Sequence, residues 1–116
     1  MFCLVCERYF TPNIKRRKYC SSDCASAGSR ITAQCREFKM PIETFMKMKG
    51  QQGNLCAICK ESFQFKKYAI HIDHDHVSGR IRGLLCRSCN LLLGHAKDNI
   101  AILRQCIQYL NDAQKN

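Results

Sequence analysis

The chain has 116 residues, which bounds it to one domain, or a small domain with an appended module, whose core is thin for its surface. Although it carries 10 cysteines, no apolar segment opens it and none approaches membrane-spanning length, which argues against a secreted disulfide scaffold and against a membrane protein. A balance of 19 basic against 9 acidic residues excludes an acidic solvating chain and fits a phosphate-backbone partner, without singling one out.

In chain order, Cys3/Cys6, the basic segment Lys15 to Lys18 and Cys20/Cys24 form a first unit. Ser21 or Ser22 can cap a helix running from Asp23 to about Met40, where Pro41 stops it. A second helix is expected from Pro41 to Lys49, burying Ile42, Phe45 and Met46 or Met48, before Gly50 to Gly53 breaks it. Phe63 to Ile72 has strand composition, and Ser78-Gly79 supplies a turn into Arg80 to Leu85, which makes a hairpin. Cys86 and Cys89 then open a helix through about Leu93, closed by Gly94. Asp98 or Asn99 caps a last helix with Leu103, Cys106, Ile107 and Leu110 at helical spacing.

Cys56/Cys59 and Cys86/Cys89 are Cys-x2-Cys pairs, and two such knuckles can each offer two sulfurs to one tetrahedral ion while the segment between them folds out. Cys3, Cys6, Cys20 and Cys24 form a second set. Two structural zinc ions in a reducing, intracellular compartment are therefore expected. Cys35 and Cys106 have no partner in register and are expected in the core. His71 and His95, also single, are expected at the surface or facing phosphate.

Between the cysteine pairs lies Asp73-His74-Asp75-His76, and Asn90 follows the last cysteine. Hydrolysing a phosphodiester requires a nucleophilic water, charge relief at phosphorus and help for the leaving oxygen. A histidine, whose ordinary pKa is about 6.5, can take the proton of the water, and a Mg²⁺ held by oxygen ligands can bind the phosphate and the leaving oxygen. Asp73 and Asn90 offer the oxygens, and His74 offers the base. Read otherwise, the run is a polar strand end hydrogen-bonded into the zinc scaffold, or a third zinc site. A regular strand throws Asp73 and His74 to opposite faces, so their convergence on one phosphate needs a bend.

Cys56-x2-Cys59, then Ile72 to His76, Ser78-Gly79, Arg82-Gly83-Leu84-Leu85-Cys86-x2-Cys89-Asn90-x3-Gly94, Asp98-Asn99 and Tyr109-Leu110 carry a family resemblance. Over residues 45–111 the chain resembles the phage recombination endonuclease VII family, within the ββα-metal (HNH-type) nucleases. The resemblance implies a small α+β zinc-stabilised domain with a ββα-metal, treble-clef-related core and flanking helices. Residues 1–40 would be an N-terminal zinc knuckle plus helix, and 41–116 the nuclease domain.

The activity implied is metal-dependent endonucleolytic hydrolysis of DNA phosphodiesters, with branched or junction DNA and phage recombination or packaging as the setting. Asp73 and Asn90 match the ligands of the catalytic Mg²⁺ or similar cation, and His74 the general base. His76 matches a further catalytic histidine that orients phosphate or assists the leaving group. Cys56, Cys59, Cys86 and Cys89 match the structural zinc site.

The implied partner is DNA, with no membrane and with a homodimer left open, in the cytoplasm of a phage-infected or prophage-carrying host. Arg80, Arg82 and Arg87 lie close enough in sequence to steer phosphate. The family's acidic residue three positions after the helix Asn is here Leu93, a departure that bears on metal affinity or substrate preference. A non-catalytic zinc protein that grips nucleic acid explains the charge and the cysteines equally well, but not the positions of Asp73, His74 and Asn90.

Overall fold

A computed structural model describes residues 1–13, 18–63 and 70–115. Lys15 to Arg17 of the expected basic segment, and residues 64–69 of the expected first strand, lie outside the described residues. The elements run α1 (Ser22–Glu37), α2 (Ile42–Gln51), β1 (Ile70–His74), β2 (Ile81–Cys86), α3 (Arg87–His95) and α4 (Ile100–Gln114). This is a small α+β arrangement in which one antiparallel hairpin, β1 with β2, meets α1, α2 and α3. No helix among the described residues is long and apolar enough to cross a membrane.

A two-stranded hairpin is marginal alone, and the chain supports it from two directions. Phe45, Phe63, Ile70, Ile72, Leu84 and Leu85 are buried in one cluster that also holds Cys3, Val5, Cys24 and Ala27 from the N-terminal unit. Two glutamines satisfy the outer edges of the sheet. Gln34 on α1 donates through Nε2 to the Ile70 carbonyl (3.0 Å) and accepts from the Ile72 N–H (2.8 Å). Gln52, after α2, donates to the Leu84 carbonyl (3.0 Å) and accepts from the Leu84 N–H (2.9 Å). Each side chain stands in for a missing strand. Gly83 leaves room for the second contact, since a Cβ there would lie 3.2 Å from Gln52 Oε1.

The sulfurs form the two expected clusters, Cys3/Cys6/Cys20/Cys24 and Cys56/Cys59/Cys86/Cys89, each with its Sγ atoms within 4.8 Å of one another. Their first halves are the same small hairpin built twice. Cys3 N–H donates to the Arg8 carbonyl (2.8 Å) and Cys56 N–H to that of Glu61 (2.9 Å). Glu7 and Lys60, each following a second cysteine, take left-handed φ of 62° and 63° and close the turn onto Cys3 and Cys56. The second halves open helices. Ser21 caps α1 by accepting from Cys24 N–H (3.1 Å), and the Cys86 sulfur caps α3 by accepting from Cys89 N–H.

The thiol chemistry fits zinc. Burial alone would raise the Cys56 thiol, but N–H groups of Cys86, Cys59 and Ile58 outweigh it and bring it down to about 6. Cys3 likewise falls to about 6, where burial is outweighed by N–H groups of Cys6, Cys20 and Val5. Cys89 is pushed up to about 12 by burial and then by its neighbouring sulfurs, and Cys20 to about 12 chiefly by the Cys6 thiol. A dication at the centre is what lets all four sulfurs of a cluster be thiolates together.

Several boundaries differ from the sequence expectation, for local reasons. Helix α1 stops at Glu37 rather than near Met40, because Lys39 (φ 53°) takes the left-handed position of a Schellman turn, with Met40 N–H bonded to the Cys35 carbonyl. Gly94 does not close α3. The helix runs to His95, and Lys97 and Asp98 take the left-handed conformations, with Asp98 N–H donating to the Leu93 carbonyl (3.0 Å). Asn99, not Asp98, caps α4. Gly28 is tolerated inside α1 because the Tyr19 ring lies where a Cβ would be.

Cys35 is buried as expected, but Cys106 is exposed, and α4 buries none of its residues. Among the described residues no second layer faces the helix, so its apolar stripe stays open. Lys49, only 4% exposed, ties the N-terminal unit to α2 by donating to the Val5 carbonyl (3.3 Å) beside Glu7 (3.7 Å).

Gln34→Ala and Gln52→Ala should each destabilise the protein by about 1–3 kcal/mol in urea unfolding, because buried backbone groups lose their partners. Losses under about 0.5 kcal/mol for both would show that water replaces them. Cys86→Ser should abolish cooperative unfolding of the hairpin, since zinc binding here is folding free energy. A stable variant short of one zinc equivalent by elemental analysis would contradict that.

Candidate active site

The strand pairing supplies the bend that periodicity does not show. Ile70 pairs with Cys86, Ile72 with Leu84 and Asp73 with Gly83, but His74 pairs with Ile81, so Arg82 is an extra residue on β2. Such a bulge twists the ladder and re-aims side chains beside it. Asp73 and His74, consecutive in β1, consequently line one cavity of about 780 Å³ together with His76 and Asn90. Helix α1 forms another wall through Gln34 and Phe38, and α3 with the turn after it contributes Leu93, His95 and Asp98.

Each site residue is held by a different device. Asn90 rides on the first turn of α3, directly after the buried Cys89, so the cysteine cluster sets where its amide enters the cavity. The His74 ring lies against Phe38 at a centroid distance of 4.6 Å and against His76 at 4.7 Å. Asp73, 8% exposed, receives Arg82 in a two-pronged ion pair, Nε to Oδ2 at 2.7 Å and Nη2 to Oδ1 at 3.0 Å. The same Nη2 reaches both Asp98 oxygens at 3.4 Å. The hydrogen bonds that Arg82 donates to Asp73, then the charge of that carboxylate, hold Arg82 still more firmly protonated than an ordinary arginine.

Asp75 works outside the cavity. Its carboxylate accepts from the N–H groups of Val77 (2.8 Å) and Ser78 (3.0 Å), closing the hairpin loop, and those bonds, Ser78 first, lower its pKa. His71 lines the cavity with its Nε2 buried and without a hydrogen-bond partner among the described residues. Burial, then the charges of Arg30 and Arg87, lower its pKa. His95 is exposed at the cavity rim. The described residues bring together no third cluster of the zinc type, so the reading of the Asp73 to His76 run as another zinc site finds no support.

Sequence reasoning brought Asp73, His74, His76 and Asn90 to this place and missed what surrounds them. Phe38 carries no local signal, because its contact with His74 spans 36 positions. Sequence order suggests Asp98 as a helix cap and a motif position and Arg82 as an arginine that could steer phosphate, but not the contacts of Arg82 with Asp73 and with Asp98. As a donor set, an Asp carboxylate and an Asn amide oxygen are the hard ligands that Mg²⁺ takes, beside a ring nitrogen able to accept a proton.

If Phe38 positions the imidazole, the His74 ring protons should shift in NMR spectra of Phe38→Leu while zinc content stays at the wild-type level. Unchanged His74 resonances would remove that role.

The family of recombination endonuclease VII matches residues 29–112. The chain is 32% identical over 119 residues to the Gene 59 protein of Mycobacterium phage D29, covering 93% of this chain and 72% of that protein. To the Gene 59 protein of Mycobacterium phage L5 it is 45% identical over 60 residues, covering 51% of this chain and 36% of that protein. No solved structure matches. The chain belongs to the recombination endonuclease VII family, and with it to the phage nucleases that act on DNA.

Proposed function

We propose that the chain is a metal-dependent DNA endonuclease of the ββα-metal (HNH) type, in which Asp73 and Asn90 hold a Mg²⁺ or similar divalent cation and His74 is the general base. The observation that carries this reading is that Asp73, His74 and Asn90, from a strand and a helix joined at the cysteine cluster, line a single cavity. A divalent cation bound there supplies charge relief at the scissile phosphate and at the leaving oxygen.

His74, its ring packed against Phe38, is oriented to accept the proton of the attacking water on a ring nitrogen. His76 faces the same cavity and orients the phosphate or delivers a proton to the leaving 3′ oxygen. The Cys56/Cys59/Cys86/Cys89 zinc keeps Asn90 and the hairpin in register. Residues 1–40 add a second zinc unit that grips the DNA backbone beside the nuclease domain of 41–116, and the excess of 19 basic over 9 acidic residues strengthens that grip.

Branched or junction DNA, met in phage recombination or packaging inside an infected or prophage-carrying cell, suits this reading. The open apolar stripe of α4, with Ile102, Cys106, Tyr109 and Leu110 around a shallow groove, supports a homodimer that presents two such centres.

Supercoiled plasmid should be nicked when Mg²⁺ or Mn²⁺ is added. His74→Ala should slow the reaction by about 10²–10⁴-fold with zinc content and DNA binding retained. Plasmid left intact by the wild-type protein with either metal would instead favour a non-catalytic zinc protein that grips nucleic acid.

A further inference from the structure

Arg82 is the bulged residue of β2, and its guanidinium is the positive charge nearest the proposed cation ligand Asp73. Both Asp73 oxygens are engaged by it, and its Nη2 also touches the Asp98 carboxylate. A single nitrogen lies 3.0 Å from Oδ1 of Asp73 and 3.4 Å from each oxygen of Asp98. The place from which one cation reaches both carboxylates is therefore the place that Nη2 fills.

A guanidinium stays charged at any physiological pH, so it cannot yield that place by losing a proton. It can yield it only by moving. The Arg82 side chain is 35% exposed, and it borders a second cavity shared with His76, Lys97 and Asp98, so it has a path to solvent.

We propose that Arg82 is a resident counter-ion of the centre: it holds Asp73 and Asp98 in the cation-free protein, and the divalent cation that Asp73 and Asn90 take up, with Asp98 as a further carboxylate beside it, displaces it toward the His76 side. There the freed guanidinium meets an incoming phosphodiester, which a planar fork of donors suits. Cation and DNA then bind cooperatively, because each removes the cost that the other would meet alone. The proposal rests on the nuclease reading for the identity of Asp73 as a cation ligand.

Two measurements on the zinc-loaded full chain test it without relying on catalysis. In ¹⁵N NMR, the Arg82 Nε–H signal, assigned by its loss in Arg82→Lys, should be protected without cation and lose that protection at saturating Mg²⁺. By EPR titration, Arg82→Gln should bind Mn²⁺ at least about tenfold tighter than wild type, since a like charge has left the site. Persistence of the protected Nε–H signal under Mg²⁺, or equal or weaker Mn²⁺ binding by Arg82→Gln, overturns the proposal and leaves Arg82 as a support for Asp73. If plasmid is still nicked in that case, the nuclease reading stands and this inference alone falls. If the wild type neither binds Mn²⁺ nor nicks, both fall.

Discussion

Four sulfurs, from Cys56, Cys59, Cys86 and Cys89, are the constraint on which the remaining structure depends. Cys86 ends β2, caps α3 and gives its sulfur to the cluster, so one residue is strand terminus, helix cap and cluster member together. Because β2 leads into α3 without a loop, a cation at those sulfurs fixes the angle between hairpin and helix. That angle decides whether Asn90, on α3, meets Asp73, on β1. A hairpin of five and six residues could not hold such a relation by burial alone.

The N-terminal cluster repeats the design with a different second half. Its knuckle carries the same carbonyl-to-N–H closures and the same left-handed residue after the second cysteine, and its last cysteine also opens a helix. Helix α1 then serves the hairpin at two points, through Gln34 on the β1 edge and Phe38 on the His74 ring. The N-terminal unit therefore does more than add positive charge, since it delivers a wall of the cavity that holds Asp73, His74 and Asn90.

Charge at the centre is partly offset internally, with one guanidinium against two carboxylates. Asp73 is nearly buried, and a lone carboxylate there would be costly, so Arg82 and through it Asp98 accompany it. The bulge that turns Asp73 and His74 toward one cavity is the same irregularity that gives Arg82 its place beside Asp73. Geometry and electrostatics of the site thus come from a single inserted residue.

Spacing and residue type were enough to read the two four-cysteine sets, the hairpin between the second pair of knuckles, and Asp73, His74 and Asn90 as a group. Those features rest on short-range order: a knuckle needs two residues between its cysteines, and a hairpin needs its turn. Helix ends were less legible, because Lys39 and Lys97 rather than glycines take the left-handed positions, held by backbone bonds to Cys35, Arg36 and Gly94. The stripe of α4 was legible as apolar, but whether it is covered depends on what packs opposite, and no helical period reports that.

Only tertiary structure decided the bulge at Arg82, the packing of Phe38 against His74, the two glutamines on the sheet edges and the sharing of Arg82 by Asp73 and Asp98. Each joins residues from different elements, and their contact follows from how the sulfur clusters orient those elements. Composition and spacing state which groups the chain carries. Three-dimensional packing decides which of them share a cavity.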